Sequence, residues 1–208
     1  RNIPICVGGD HSYTYPLVKA LYRKDPELIF MYLDSHLDLQ VWNQDPLHGE
    51  SQICHSNFVS HLIRDLPFLK VGQLGAKRFL PIEKNQEINF LNQINKFEVL
   101  LDSESCENRP LAEIQKELPR GRRMYLSIDL DVLGSPYLQQ TGHPNPSGIS
   151  PMRLLSLLET LVKENHIVGL DFMEFGKSGA RDVHRNEAVL VTELMLKIMQ
   201  LLIGKFNE

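Results

Sequence analysis

The sequence has little of what is typical of secreted, membrane-spanning or nucleic-acid-binding proteins. Its 208 residues include only three cysteines, Cys6, Cys54 and Cys106, which lack the spacing of disulfide-rich domains and zinc sites. This scarcity favours a reducing, cytoplasmic environment. No apolar stretch approaches the roughly 20 residues of a membrane span, and a net charge of -4 offers no basic surface to nucleic acid. The 42% hydrophobic content is sufficient for one core, so we predict a single domain over residues 1–208.

Three short clusters of histidine and aspartate each follow a run of apolar residues. The runs span residues 3–7, 28–33 and 124–128, and the clusters are GGDHS at 8–12, DSHLD at 34–38 and SIDLD at 127–131. This pattern predicts buried parallel strands that end in loops carrying the polar side chains. In an open α/β sheet the carboxyl ends of neighbouring strands form the crevice that binds ligands, so we expect the clusters to converge there.

The converging side chains have the composition of a site for divalent cations. The candidate metal ligands are His11, Asp34, His36, Asp38, Asp129 and Asp131. Four carboxylates in one place repel each other unless cations neutralise them, and two divalent cations would do so. Mixed imidazole and carboxylate ligation favours manganese over a metal that prefers thiolates, so we predict two Mn²⁺ ions. The alternative is that the histidines are core residues and the aspartates are caps, but capping requires no histidine between two aspartates.

Outside the clusters, the pattern alternates between strand and helix, as a mostly parallel doubly wound sheet requires. The spacing predicts helices at residues 16–23, 56–65, 111–118, 151–164 and 187–203, and a strand at 69–74. Ser150 is the predicted N-cap of the helix that begins at Pro151. Residues 80–110 are polar and predict only a short helix and a loop.

The three clusters, in this order, resemble the motifs of the arginase/agmatinase (ureohydrolase) family, which read GGDHS, DAHxD and SxDxD. The first matches letter for letter, and the second differs only by Ser35 in place of alanine. The resemblance implies a three-layer αβα fold around the parallel sheet. Because family members usually carry a substantial segment before the first motif, we expect this chain to lack N-terminal strands of that sheet. Relatives commonly form trimers or hexamers, so we also expect a homo-oligomer.

The resemblance also implies a reaction, the hydrolysis of a guanidino C–N bond in a linear amidine with release of urea. The attacking group would be a hydroxide that bridges the two metal ions, since bound cations lower the pKa of water. The resemblance implies that Asp34 and Asp129 bridge the two metal ions. His11 and Asp38 would complete the ligands of one ion, and His36 and Asp131 those of the other. Asp38 would also carry the hydroxide proton to the leaving amine.

Three further roles, for which four residues are candidates, are implied by the resemblance or by position. Glu174, at the end of a late strand, would form a salt bridge with the substrate guanidinium. Asp10 would either orient His11 through its second ring nitrogen or accept hydrogen bonds within its own loop. A proton-shuttling histidine usually follows the second motif as part of an HG pair, and His48, followed by Gly49, matches that pair. We favour His55 instead, because it opens an amphipathic helix as the family's histidine does.

The substrate is less well defined by the sequence. The loop after Asp38 lacks the Asn and Ser-Ser-Gly pattern with which arginases hold a free amino acid, so agmatine or another small guanidino compound is favoured. Lys177 and Arg181 would suit a carboxylate or a peptide, which leaves arginine within a peptide, converted to ornithine, as an alternative, unless both side chains face water. A formimino or other linear-amidine substrate is a further alternative.

The segment after the third cluster departs from the family pattern. Residues 141–148 resemble the family's GTGxPxPGG loop, but Gly134 and Ser135 stand where Asp-Pro is usual, and Gln139 and Gln140 replace Pro-Gly. None of these changes removes a candidate ligand. They nevertheless leave open a metal-binding paralogue without catalytic activity.

Overall fold

Six parallel strands organise the described part of the chain. The structure, a computed structural model, describes residues 2–39, 52–77, 95–176 and 185–206. Its strands are β1 (Ile5–Val7), β2 (Ile29–Leu33), β3 (Lys70–Ala76), β4 (Phe97–Asp102), β5 (Arg123–Asp129) and β6 (His166–Met173). They form one sheet in the order β1-β6-β5-β2-β3-β4, and each pairing is parallel. The predicted parallel sheet is confirmed.

Helices cover both faces of this sheet. They are α1 (Thr14–Tyr22), α2 (Phe58–Asp65), α3 (Ser103–Asn108), α4 (Leu111–Glu117), α5 (Pro151–Glu164) and α6 (Arg185–Phe206), with 3₁₀ turns at His11–Tyr13 and Leu130–Val132. Helices α1 and α2 contribute to one hydrophobic core, and the other four contribute to a second core on the opposite face. The three-layer αβα architecture is therefore confirmed.

The central strand β2 shows why its sequence is apolar throughout. Ile29, Met31 and Leu33 belong to the core beneath α3 to α6, whereas Phe30 and Tyr32 belong to the core beneath α1 and α2. Successive side chains of a strand point to opposite faces, so a strand covered on both sides buries all of them. Burial of each large side chain contributes about 1.5–3 kcal/mol relative to leaving it exposed.

The strand order reverses between β2 and β5. From β2 the sheet continues outward through β3 and β4, whereas β5 and β6 lie on its other side. Leu33 at the end of β2 pairs with Ile128 on β5, so the loops after these two strands leave the sheet side by side. A crevice opens at such a switch point, which places residues 34–38 and 129–131 where a ligand can bind.

The predicted helices and the strand at 69–74 are confirmed, with shifts of up to three residues at their ends. Ser150 caps α5 by accepting a 3.3 Å hydrogen bond from the amide of Arg153, as predicted. Of the short helix and loop predicted at 80–110, the short helix is confirmed as α3, residues 80–94 lie outside the described residues, and the strand β4 was not predicted. This edge strand buries Val99 and Leu101 and leaves its other residues partly or fully exposed, which conceals the strand pattern. Within the described residues, no helix is long and apolar enough to cross a bilayer.

Candidate metal centre

Two candidate ligands lie side by side at the carboxyl ends of β2 and β5. Asp34 directly follows β2, and Asp129 is the last residue of β5. The Asp34 amide donates to the carbonyl oxygen of Leu74 over 3.1 Å, which continues the backbone ladder past the end of β2. The Asp129 carboxylate accepts a 2.8 Å bond from the Asp131 amide and so caps the following 3₁₀ turn. The sheet therefore fixes the backbone that carries both carboxylates.

His11 contributes an imidazole to these carboxylates from the loop after β1. Its side chain is 0% exposed, and its ring lies 4.6 Å from the ring of Phe58, centroid to centroid. The Nδ1 atom lies 3.1 Å from Asp34 Oδ2, 3.1 Å from Asp129 Oδ2 and 3.4 Å from Asp38 Oδ2. One imidazole nitrogen therefore faces oxygen atoms of three different carboxylates.

His36 forms a second group that shares Asp34 with the first. Its Nδ1 atom lies 2.9 Å from Asp131 Oδ2 and 3.7 Å from Asp34 Oδ1. The His36 side chain is 36% exposed, so this group borders the protein surface. All six residues predicted as ligands are thus brought together, Asp129 through its contact with His11, in two groups joined by the two oxygens of one carboxylate.

Burial is the largest influence on the acidity of Asp38 and Asp129, whereas contacts with His11 and His36 hold the pKa of the buried Asp34 below its ordinary value. Burial raises the pKa of Asp38 and of Asp129 well above the usual range, and neighbouring carboxylates raise both further. Burial alone would lower the pKa of His11, but the facing carboxylates, Asp129 first, raise it well above its ordinary value. The pKa of His36 rises to about 10, because its contacts with Asp131 and Asp34 outweigh burial. The two histidine shifts, and the part of the aspartate shifts that neighbouring carboxylates cause, reflect concentrated negative charge, which a cation relieves.

The donor atoms fit divalent cations. His11 Nδ1 and Asp34 Oδ2 are buried and lie 3.1 Å apart, but neither makes a hydrogen bond of acceptable geometry among the described residues, although buried polar atoms normally make one. Ligands about 2.1 Å from an octahedral metal ion lie roughly 3 Å from each other. The separations of 3.1 to 3.4 Å between His11 Nδ1 and its three carboxylates agree with that spacing. Metal ligation would therefore satisfy two buried atoms that make no hydrogen bond within the described part of the protein.

The loop of residues 34–38 is held by side chains that sequence reasoning missed. Tyr32 donates a 2.8 Å hydrogen bond to the carbonyl of Leu37 and a 3.0 Å bond to Gln73 Oε1. Gln73 Nε2 in turn donates to the carbonyls of Asp34 and His36 over 3.2 and 2.6 Å. A buried glutamine in strand β3 was the available signal, since buried amides need several partners.

Two predicted functional residues have strained backbones. Asp38 has a φ of 50° and Glu174 a φ of 62°, and they are the non-glycine residues with positive φ in the described part of the chain. Such conformations cost about 1–3 kcal/mol each and cluster at functional sites, where the surrounding structure enforces them. The observation independently marks both residues.

Glu174 lies beside His11 because β1 and β6 are neighbours. Its amide donates to the carbonyl of Gly9 over 2.7 Å, and its Oε1 accepts a 2.8 Å bond from the amide of His11. Burial raises the pKa of this carboxyl group above its ordinary value. The Oε2 atom lies 3.5 Å from the position that a Cβ would take at Gly142, so the loop of residues 141–148 passes close to it.

One of the two roles weighed for Asp10 is wrong. Asp10 does not contact the second ring nitrogen of His11, since that Nε2 atom lies 2.9 Å from Ser127 Oγ instead. Asp10 accepts a 2.9 Å bond from the amide of Ser12 and a second bond from its hydroxyl, which is the loop role. Its other oxygen lies 3.3 Å from Nδ1 of His55.

His55 therefore lies close to the candidate centre, although it is 48% exposed. His55 was predicted to open the helix α2, and it lies three residues before the first residue of that helix, Phe58. The ring of His143 neighbours both His55 and the candidate ligand His36, with centroid distances of 6.2 Å and 5.5 Å. His48, the competing shuttle candidate, and the cations Lys177 and Arg181 lie outside the described residues.

The segment that departs from the family pattern keeps a well-connected loop. The amide of Gly134 donates to Ile149 over 3.0 Å, and that of Ser135 donates to Asn145 over 2.7 Å. The amides of Gln139 and Gln140 both donate to one carboxylate oxygen of Glu187, over 3.0 and 2.8 Å. The substituted residues thus join the loop to α6.

An αβα sheet with imidazoles and carboxylates converging at its switch point defines an α/β protein with a candidate metal centre. The chain belongs to the arginase family, whose model matches residues 1–200.

Individual relatives agree with this assignment. The N(1)-aminopropylagmatine ureohydrolase of Thermus thermophilus is 30% identical over 190 residues, which cover 90% of this chain and 59% of the relative. The agmatinase of Bacillus subtilis is 30% identical over 176 residues, covering 83% and 55%. The human mitochondrial guanidino acid hydrolase is 27% identical over 208 residues, covering 95% and 54%. The chain therefore spans less than two thirds of the length of these relatives.

Solved structures show the same fold. A hypothetical agmatinase from Burkholderia thailandensis superposes with a TM-score of 0.75 at 21% identity, covering 98% of this chain and 60% of that one. The proclavaminate amidino hydrolase of Streptomyces clavuligerus superposes with a TM-score of 0.74 at 21% identity, covering 95% and 64%. The fold class expected from the sequence is confirmed.

Proposed function

We propose that this protein hydrolyses a guanidino C–N bond in a linear substrate and releases urea, with two divalent metal ions bound at the candidate centre. The observation that carries the proposal is the convergence of two imidazole Nδ1 atoms and four carboxylates, with His11 Nδ1 and Asp34 Oδ2 buried and without a hydrogen bond among the described residues. Manganese is the proposed metal, because carboxylate-rich ligation with some imidazole suits it.

The proposed ligand roles follow from which atoms face each other. His11 and Asp38 would hold one ion, and His36 and Asp131 would hold the other. Asp129, which faces His11 Nδ1 over 3.1 Å, would be a ligand of the first ion and remains a predicted bridge to the second. Asp34 presents Oδ2 to the first group and Oδ1 to the second, which suits a bridging ligand. When bound, the metal pair supplies a nucleophilic water near neutral pH and neutralises developing negative charge.

Asp38 and His55 are the proposed proton carriers. Asp38 lies in a positive-φ conformation at the edge of the centre, with one carboxylate oxygen 3.4 Å from His11 Nδ1. It would accept a proton from the nucleophile and deliver it to the leaving amine. His55 is exposed and paired with Asp10, so it can exchange that proton with solvent. His48 remains the alternative shuttle.

Glu174 is the proposed anchor for the substrate guanidinium. Its Oε1 is occupied by the His11 amide, which fixes the carboxylate relative to the metal ligand next to it. Its Oε2 is then available to the substrate, since a guanidinium pairs with carboxylate oxygens in a planar arrangement. The hydrogen bond from the His11 amide to the Glu174 carboxylate would therefore set the distance between the substrate and the nucleophile.

The proposed substrate is a small guanidino compound. The relatives are named for aminopropylagmatine, agmatine and guanidino acids, which share the guanidino group and differ in the charge at the far end. Arginine within a peptide remains an alternative, because the cations on which it rests, Lys177 and Arg181, lie outside the described residues. A homo-oligomer also remains a prediction.

Urea release tests the proposal directly. The manganese-loaded protein would be assayed with agmatine, aminopropylagmatine, guanidinobutyrate, free arginine and an arginine-containing peptide, beside its Asp129→Asn and Asp25→Asn variants. Asp25→Asn is a matched control, because Asp25 pairs with Arg123 away from the centre. We expect urea from at least one substrate, lost in Asp129→Asn and retained in Asp25→Asn. Absence of urea from all five substrates, with two ions bound, would contradict the proposed reaction.

A further inference from the structure

The second ring nitrogen of His11 points away from the candidate metal centre, into a buried chain of hydrogen bonds. Its Nε2 lies 2.9 Å from Ser127 Oγ, and the Ser127 hydroxyl donates to Oδ1 of Asp171. All three residues are 0% exposed. Ser127 on β5 pairs directly with Asp171 on β6, so the sheet holds the two side chains in register.

The other oxygen of Asp171 is also fully used. Its Oδ2 accepts hydrogen bonds from Thr14 Oγ1 over 2.8 Å and from the Tyr125 hydroxyl over 2.7 Å. Burial raises the pKa of Asp171, and the three hydroxyl partners oppose that rise. In all three contacts the hydroxyl is the donor and the carboxylate the acceptor, which is the arrangement that stabilises the ionised form. None of them takes part in the reaction proposed above, and sequence reasoning assigned Asp171 no role.

This arrangement determines where the proton of neutral His11 lies. A serine hydroxyl has one hydrogen, and Ser127 donates it to Asp171, so Ser127 can only accept from His11. The Nε2 atom must then carry the hydrogen, which leaves a lone pair on Nδ1. That lone pair faces the oxygens of Asp34, Asp38 and Asp129, where a cation would be bound.

We propose that Ser127 and Asp171 are positioning residues that keep His11 in the tautomer required for metal binding through Nδ1. The inference rests on the metal centre of the proposed function and adds the part of the protein that prepares one ligand. Metal-binding histidines usually donate their other ring N–H to an acceptor that fixes tautomer and ring orientation. Here a serine lies between the histidine and the buried carboxylate.

An isosteric change distinguishes this role from simple packing. In Asp171→Asn, the amide oxygen keeps both the Thr14 and Tyr125 bonds only if the amide nitrogen faces Ser127. That N–H then donates to Ser127, whose hydroxyl turns and donates to His11 Nε2. The chain is reversed, the hydrogen moves to Nδ1, and the metal ion meets an N–H group instead of a lone pair.

Ser127→Ala has a different consequence. It removes the acceptor for Nε2 without imposing the other tautomer, so the preference of His11 is weakened and not reversed. Because the reversal in Asp171→Asn acts through the Ser127 hydroxyl, adding Ser127→Ala to Asp171→Asn should restore part of the lost affinity. Tyr125→Phe is the matched control, since it removes one bond to Asp171 and leaves the chain to His11 complete.

The experiment is a manganese titration by isothermal calorimetry on the complete protein, with electron paramagnetic resonance to separate coupled from single ions. Asp171→Asn should weaken one of the two ions about 10- to 100-fold and leave the other unchanged, the range seen for partners of metal ligands. Ser127→Ala should weaken the same ion less, the double variant should bind it more tightly than Asp171→Asn, and Tyr125→Phe should match wild type.

Several results would overturn the inference while leaving the proposed function intact. Wild-type binding of two ions together with unchanged affinities in Asp171→Asn is one, and a double variant weaker than either single variant is another. If Asp171→Asn does not fold, Ser127→Ala and Tyr125→Phe decide, and equal effects of the two contradict the inference. Failure of the wild-type protein to bind any ion would instead remove the proposed metal centre on which the inference rests.

Discussion

The two halves of the candidate centre differ in how much protein surrounds them. In the inner half, made by His11, Asp38 and Asp129, the imidazole is completely buried. In the outer half, made by His36 and Asp131, the imidazole is 36% exposed. Asp34 belongs to both halves, through its two different oxygens.

The environment of the second ring nitrogen differs even more. His11 Nε2 faces the Ser127 hydroxyl, which accepts its hydrogen. His36 Nε2 lies 3.3 Å from the Lys77 ammonium group, which can only donate. The inner histidine is therefore prepared for binding through Nδ1, whereas the outer histidine must release the contact with Lys77 first. We infer that the inner half is the preformed part of the centre and the outer half is the adjustable part.

The largest effect is expected where the two halves join. Asp34→Asn removes charge from the shared carboxylate, so affinity for both manganese ions should fall by more than about 100-fold, beyond the loss typical of residues that only support ligands. Calorimetric titration measures this directly. Loss of a single ion, with the other bound normally, would contradict the bridging role of Asp34.

Glu174→Gln should separate substrate binding from metal binding. Glutamine keeps an oxygen to accept the His11 amide but lacks the charge that pairs with a guanidinium. We expect kcat/KM for urea release to fall about 100-fold, the scale for losing one member of a buried charge pair. Manganese stoichiometry should stay at the wild-type value, and its loss would show that Glu174 supports the metal ligands instead.

A direct comparison of the halves comes from His11→Asn and His36→Asn. Water can replace the exposed His36 ring as a ligand, whereas nothing replaces the buried His11 ring. The loss of affinity for the inner ion in His11→Asn should therefore be roughly tenfold greater than the loss for the outer ion in His36→Asn. His11→Asn should also lower the free energy of unfolding by about 1–3 kcal/mol, because it leaves buried polar groups unpaired. Equal effects on both measurements would erase the distinction between the halves.

The smallest effect is expected at Lys77. Lys77→Met removes a cation beside His36 and keeps a side chain of similar length. Affinity for the outer ion should rise a few-fold, because the positive charge of Lys77 would repel a cation bound by His36. The rise is small, since a charge interaction near the surface contributes at most about 1 kcal/mol. Calorimetry of the outer ion measures the change, and a weaker outer ion would show that Lys77 supports the site.

The candidate ligands could be predicted from the sequence because their signal is local. Asp34 and Asp129 each directly end an apolar run, and parallel strands bring such positions to one edge of a sheet. The ordering of the loops around His11 and Glu174 could not be predicted, since it depends on β1 and β6 being neighbours although they are far apart in the chain. Contacts of this kind follow from topology and leave no local trace.

The residues that prepare the ligands were missed for a different reason. Ser127 lies on β5 and Asp171 on β6, and in the sequence each looks like an isolated polar residue in an apolar run. Alternation along a strand gives a usable signal, because Ser127 and the candidate ligand Asp129 are two residues apart and must share a face of β5. The pairing of Ser127 with Asp171 on β6 is visible only in the structure. Asp10 was considered for this task because it is next to His11 in sequence, whereas the actual partner comes from β5.

The most direct test of the account is the manganese stoichiometry of the metal-loaded protein, measured by elemental analysis after dialysis, for wild type and for Asp34→Asn. Two ions per chain in the wild type, with both lost or greatly weakened in the variant, is the predicted result. One ion or none in the wild type would contradict a centre built from two groups of ligands that share Asp34.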